Sequence, residues 1–193
     1  MCRYPRARSQ SRPAAIAGDI GRPLRSHTSP LDGNAMTDAM TCFARAVHCL
    51  EDHADRIDVA GPVGEADLAL ASTLLGLEFP PSYRAYLQTF GAGAFGTVEI
   101  YGIIAGRLPG RAAPSVVWRT LDERARCGMP HRLIPILDSG YGPLICLETT
   151  QVTADGECAV VEWSPSIGQA PTERIADSFG AFFLQEIEAA FAM

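Results

Sequence analysis

The sequence predicts an α+β domain, and three observations carry that prediction. Apolar residues recur at steps of three and four between residues 37 and 90. Short runs with a period of two follow. A stripe of phenylalanines at helical spacing closes the chain. The expected order is N-terminal helices, a small and mainly antiparallel sheet of about four or more strands, and a C-terminal amphipathic helix.

In the first segment, Met40, Phe43, Val47 and Leu50 form one helical face from Thr37 onward, with Thr37 or Asp38 able to cap it. Gly61-Pro62 ends that segment. A second helix is expected from Glu65 to Leu75, because Leu68, Ala71 and Leu75 share a face and Gly76 supplies a stop. Pro80-Pro81 opens a third helix, since a proline in the first turn forfeits no helical hydrogen bond; Tyr83, Tyr86, Leu87 and Phe90 form its apolar stripe.

After Gly91 the period shortens. Val98, Glu99, Ile100 and Tyr101 alternate as in a strand with one wet face. A helix from Ser115 to Arg126 precedes a strand from Leu133 to Leu137. The runs Leu144–Thr149 and Cys158–Trp163 flank Asp155-Gly156, a turn dipeptide, and should pair antiparallel. Phe179, Phe182, Phe183, Ile187 and Phe191 then form the last helix behind Asp177 or Ser178 as cap.

Composition separates the chain into two parts. Residues 1–36 form an Arg/Pro-rich N-terminal extension, expected to be disordered because they show no hydrophobic period. A start placed upstream of the true one, before Met36 or Met40, and a basic targeting arm are the two alternative accounts of it. Residues 37–193 form the single domain. The 193-residue chain carries 16 Lys+Arg against 22 Asp+Glu, for a net charge of −6, and all of its cations are arginines. Six of them lie in the extension, so the body is strongly acidic; it repels nucleic acid and suits a basic partner. No apolar run approaches the roughly 20 residues of a membrane span, and no secretion signal is evident, so a cytoplasmic protein with no membrane partner is expected. The six cysteines show no framework spacing and are read as thiols, with Cys42, Cys146 and Cys158 inside apolar patterns.

Motifs that would carry chemistry are not completed. Gly91-Ala92-Gly93-Ala94-Phe95-Gly96 has the spacing G-x-G-x-x-G, but a dinucleotide site needs a strand before the glycines and a helix after them. Here the order is reversed, and Arg111 stands where an acidic ribose ligand is wanted, so a flexible helix-to-strand turn is expected instead. His48 and His53 are five residues apart and fall on different helix faces, and Cys49 with His53 gives only two ligands. Ser139 lacks the preceding glycine of a nucleophile elbow. The spacing of Cys127 and His131 is no more than a loop coincidence, and Glu186 and Glu188 are read as an exposed helix face. No catalytic, cofactor or metal site is expected.

Two stretches acquire further meaning together. FPPSYRAYLQTFGAGAFGTVEIYGI, from Phe79 to Ile103, resembles the hallmark of the SUKH superfamily, the Smi/Knr-like domains: a proline-led helix, a glycine turn and a strand carrying Tyr-Gly. SVVWRTLDERARCGMPHRLIPILDSGYGPLICLE, CAVVEW and the closing IADSFGAFFLQEI are similar to the later pattern of the same family. The resemblance spans about Thr37 to Met193. It implies an α+β domain that acts by binding, in bacteria commonly as an immunity protein against a cognate polymorphic toxin, often a nuclease. It implies no enzyme chemistry.

A toxin that degrades nucleic acid presents a basic cleft, which an acidic inhibitor can approach by electrostatic steering. The candidate partner-binding residues are therefore charged or aromatic groups on the wet sheet face and its turns. Glu99 and Tyr101 share a strand face; Glu162 lies opposite to Val161 and Trp163; Glu148 shares its face with Cys146. Asp138 and Tyr141 belong to a glycine-rich turn at the sheet edge, and tyrosines are favoured at the centres of interfaces. A regulatory or scaffold protein-interaction domain is the alternative, with a hydrolase third.

Overall fold

The structure, a computed structural model, describes residues 35–111, 113–166, 168, 171 and 173–192. The expectation for the extension lies, up to residue 34, outside the described residues. Helix α1 (Ala35–Glu51) starts two residues before the expected cap and buries Ala39, Phe43, Ala46 and Leu50. Its partner is the closing helix α5 (Phe179–Phe191), whose N-cap Ser178 accepts from Ala181 N–H. The two helices meet through Phe43 and Phe183, whose rings stack with centroids 5.9 Å apart. At the start of α5, a Cβ on Gly180 would lie 2.0 Å from the Ala39 carbonyl oxygen, so only glycine permits this approach.

Helix α2 (Glu65–Leu75) buries Leu68, Ala71 and Leu75 and ends at Gly76 in the left-handed region, as its sequence requires. Helix α3 (Pro81–Phe90) is tied to the following strand by two buried tyrosines: Tyr83 donates to the Tyr101 carbonyl at 2.8 Å and Tyr86 to the Ile100 carbonyl at 3.0 Å. Each buried hydroxyl thereby finds an acceptor, which removes the penalty of burying it.

The strands divide between two sheets. β1 (Ile57–Val59), β2 (Gly93–Phe95) and β3 (Val98–Ile100) pair antiparallel in the order β1-β2-β3. β4 (Leu133–Asp138), β5 (Leu144–Val152), β6 (Cys158–Trp163) and β7 (Glu173–Ala176) form a four-stranded antiparallel sheet in sequence order. The glycine-rich segment expected as a flexible turn thus contains a strand. Phe95 is fully buried against Tyr86, Phe90 and Phe183, and that packing fixes the backbone between Gly91 and Gly96. β1 and β7 are three and four residues long, too short to register a period.

The two sheets join at the end of β3, where the Tyr101 N–H donates to the Ile136 carbonyl at 2.7 Å. Helix α4 (Val116–Cys127), capped by Ser115 accepting from Trp118 N–H at 3.3 Å, lies between them in sequence. One face of the four-stranded sheet presents Ile134, Ile136, Ile145, Leu147 and Val160 to the main core with Phe179 and Phe183. On the other face, Leu133, Leu144, Cys146, Val161 and Trp163 pack with Met129. The order of helices, antiparallel sheet and closing helix is α+β, as the sequence predicts. Among the described residues no helix is long and apolar enough to cross a membrane. Cys42, Cys49, Cys146 and Cys158 are free thiols, whereas Cys127 is disulfide-bonded and departs from the expectation of six thiols.

Candidate functional site

The end of β3, the start of the β4–β5 hairpin and the middle of α5 converge on a groove of about 350 Å³. Its lining includes Glu99, Tyr101, Leu137, Asp138, Ser139 and Glu186. The pleat explains the first two: Ile100 points into the core and is fully buried, so its neighbours in sequence face the groove. Glu99 is exposed, while Tyr101 is 5% exposed and forms part of the floor.

Asp138 closes β4 and begins the hairpin turn. One of its carboxylate oxygens accepts from Gly140 N–H at 2.9 Å, and the other lies 3.2 Å from Arg119 Nη2. Ser139 Oγ donates to the Pro143 carbonyl at 2.7 Å and accepts from Tyr141 N–H at 3.3 Å. These bonds hold the turn, and at its tip Tyr141 stands 96% exposed.

Arg119, on α4, also pairs with Glu123 one turn further on at 3.3 Å. Burial pushes the Glu123 carboxyl above the usual carboxylate range, while Arg119 pulls the other way. Burial raises the Glu186 carboxyl as well. The Tyr101 phenol is raised first by burial; Arg119 opposes this, and Asp138, Glu99 and Glu123 add to it. Three carboxylates, Asp138, Glu99 and Glu123, thus stand near this phenol together with the Arg119 guanidinium.

The six residues singled out by sequence do not share one face. Glu99, Tyr101 and Asp138 line the groove, and Tyr141 rises from the turn three residues beyond Asp138. Glu148 is buried on the outer face of the four-stranded sheet, where it accepts from Arg132 Nε at 2.8 Å and from Thr150 Oγ1 at 2.7 Å. It borders a second, open groove with Arg132, Thr150, Arg174 and Asp177. Glu162 is partly exposed on β6, between Ile145 on β5 and Glu173 on β7, on the face opposite to Val161 and Trp163.

The sequence reads Glu186, like the pair Asp122-Glu123, as part of an exposed helix face, but Glu186 is half-buried at the groove and Glu123 is buried against Arg119; Arg119 is not singled out by sequence. Glu186 lies beside Ile187 and three residues after Phe183, within the margin of the α5 apolar stripe, and that placement is the signal that it is not simply solvated. Nothing in the local sequence of α4 shows that Arg119 reaches the end of β4.

Among the described residues, no group of three or more His, Cys, Asp or Glu is placed to hold a metal ion. His48 pairs with Glu51 at 3.0 Å on the surface of α1, and His53 stacks on Phe191 with ring centroids 4.5 Å apart.

Residues 47–188 match the SUKH_5 family model, described as SMI1-KNR4 cell-wall. The match covers α2 to β7 whole, with most of α5 and the end of α1, and so includes every residue of the groove. The chain therefore belongs to the SUKH, or SMI1-KNR4, family.

Proposed function

We propose that this chain is an immunity protein, acting in the cytoplasm, that binds a cognate polymorphic toxin and holds it inactive without catalysis. The observation that carries this reading is the groove itself: Glu99, Asp138 and Glu186 surround a nearly buried Tyr101, beside a tyrosine presented on a braced hairpin. Carboxylates on a rim attract and orient a basic surface, while an exposed aromatic anchor supplies the area that slows dissociation. A toxin that cuts nucleic acid has such a basic surface, and covering it would exclude the substrate. Membership of the SUKH family is consistent with this role.

The test is protection of cells that express the product of an adjacent toxin-like gene. Wild-type protein should restore growth and co-purify with that product. A chain carrying Glu99→Lys, Glu186→Lys and Tyr141→Ala together should fold and fail at both. Full protection by the triple variant would exclude this surface. Failure of the wild type to protect against any adjacent gene product would favour a regulatory scaffold instead.

A further inference from the structure

The floor of the groove holds a polar group with no hydrogen-bond partner among the described residues. Tyr101 uses its backbone fully, donating to Ile136 and accepting from Tyr83, yet its hydroxyl has no hydrogen-bond partner among the described residues. The residue is 5% exposed and lines the groove, so its hydroxyl meets only what enters there. The hydroxyl is therefore open to the groove with its donor and acceptor positions unused by the described residues, and a ligand seated there can bond to it. Behind the floor, Glu123 Oε2 is also buried without a partner.

We infer that the groove is a receptor for an arginine side chain of the protein partner. This rests on the reading above that the partner is a basic protein, and it names the group that is recognised. Glu99, Asp138 and Glu186 set three carboxylates on the groove, and the nearby Arg119 guanidinium is already engaged by Glu123 and Asp138. An anion is repelled, and a neutral group leaves the carboxylates without charge compensation. A guanidinium fits better than an ammonium for three reasons. Its planar fork offers five donors in fixed directions, matching acceptors spread over β3, the hairpin and α5. It is more weakly hydrated, so it enters a partly closed groove at lower cost. Its flat face can lie against the apolar wall that Val98 and Leu137 provide.

The probes are the N-acetyl amides of arginine, lysine and citrulline, titrated into the full chain while tyrosine-ring and backbone resonances are followed by NMR at low salt. Arginine amide should bind saturably, with a dissociation constant of about 10 mM or tighter, and shift Tyr101, Glu99 and Glu186. Lysine amide should bind at least about threefold more weakly, and citrulline amide, which keeps the shape but lacks the charge, should not saturate. Tyr101→Phe and Glu186→Gln should each weaken arginine amide about tenfold, the loss of one hydrogen bond to a charged group. Thermal unfolding of both variants confirms that they are folded. Equal binding of citrulline and arginine amides, absence of saturable arginine binding, or unchanged binding in both variants would overturn the inference. Protection of cells by a wild-type chain that binds no arginine amide would do so while sparing the proposed function. Arginine binding by a chain that holds no basic toxin would sustain the groove and sink the function.

Discussion

The Ser82 hydroxyl donates to Glu157 Oε2 at 2.8 Å, and the other oxygen of the same carboxylate accepts from the Ser82 backbone N–H at 2.7 Å. Ser82 lies in the first turn of α3, where backbone donors have no partner within the helix, and Glu157 arrives from the β5–β6 hairpin 75 residues later. The same hydroxyl accepts from Gly180 N–H at 3.1 Å, at the start of α5. A single carboxylate thus joins α3, the second sheet and the closing helix inside the protein. Glu157→Ala leaves two buried donors unsatisfied and should cost about 3 kcal/mol in urea unfolding. Glu157→Gln retains one acceptor oxygen and should cost less. A destabilisation below about 1 kcal/mol for the alanine variant would show that the joint contributes little.

That joint also shows where sequence reading stops. The helices of this fold announce themselves, because Phe43, Leu68, Tyr86 and Phe183 repeat at helical spacing whatever lies across from them. The hairpin between β5 and β6 is likewise local, set by a turn dipeptide between two apolar runs. Glu157 stands in the same stretch as an unremarkable acid, since its meaning depends on a serine 75 residues away. The groove divides in the same way. Glu99 and Tyr101 are legible from alternation and Asp138 from its turn, whereas Glu186 and Arg119 acquire their positions only from the packing of α5 and α4. β1 and β7 escape detection because three or four residues are too few to show a period, although Ile57, Ile175 and Ala176 pack against the core.

Tyr141 separates recognition from stability. With 96% of its surface exposed, Tyr141→Ala should change unfolding free energy by no more than about 0.5 kcal/mol. If the hairpin tip anchors the partner, the same substitution should weaken the complex by about 2 kcal/mol, roughly thirtyfold, chiefly through faster dissociation. Calorimetric unfolding and surface plasmon resonance on one preparation measure both quantities. Unchanged affinity would remove Tyr141 from the interface.

Glu186 should show the opposite pairing, a gain in stability with a loss in binding. Burial holds its carboxyl above the usual carboxylate range of the unfolded chain. Between the unfolded value and the raised folded one, the unfolded state binds fewer protons, so stability falls as pH rises through that window and the penalty is complete above it. Glu186→Gln has no charge to desolvate. The variant should be more stable than the parent at neutral pH, and its advantage should shrink as pH falls below the ordinary Glu value of about 4.3, where the parent carboxyl becomes protonated in both states. Denaturant midpoints at the two pH values test this; a variant less stable at neutral pH would contradict it. A partner that supplies a cation would relieve the same penalty on binding, and the strain at Glu186 would then favour the complex.

Gly102 connects the Tyr-Gly step of the sequence to the groove. A Cβ at this position would lie 1.8 Å from the Gly91 carbonyl oxygen, which accepts from Ile103 N–H at 2.9 Å. The obstacle is backbone on both sides, so no side-chain rotation relieves it. Gly102→Ala must push β3 away from the turn after α3, break the Ile103 bond and shift Tyr101, whose N–H and carbonyl hold the sheet junction and α3. The expected cost is about 3 kcal/mol or more. Gly64→Ala is the control, because no atom lies within 4 Å of a Cβ there and its φ of −80° suits any residue; as the N-cap of α2 it should cost no more than about 1 kcal/mol, the difference between glycine and alanine as a cap. At temperatures where the Gly102 variant remains folded, arginine amide should bind it more weakly than the parent, since the displaced residue is the groove floor. Full binding in a destabilised Gly102 variant would show that the floor tolerates movement, and that the carboxylates of the rim, not the hydroxyl of Tyr101, select the ligand.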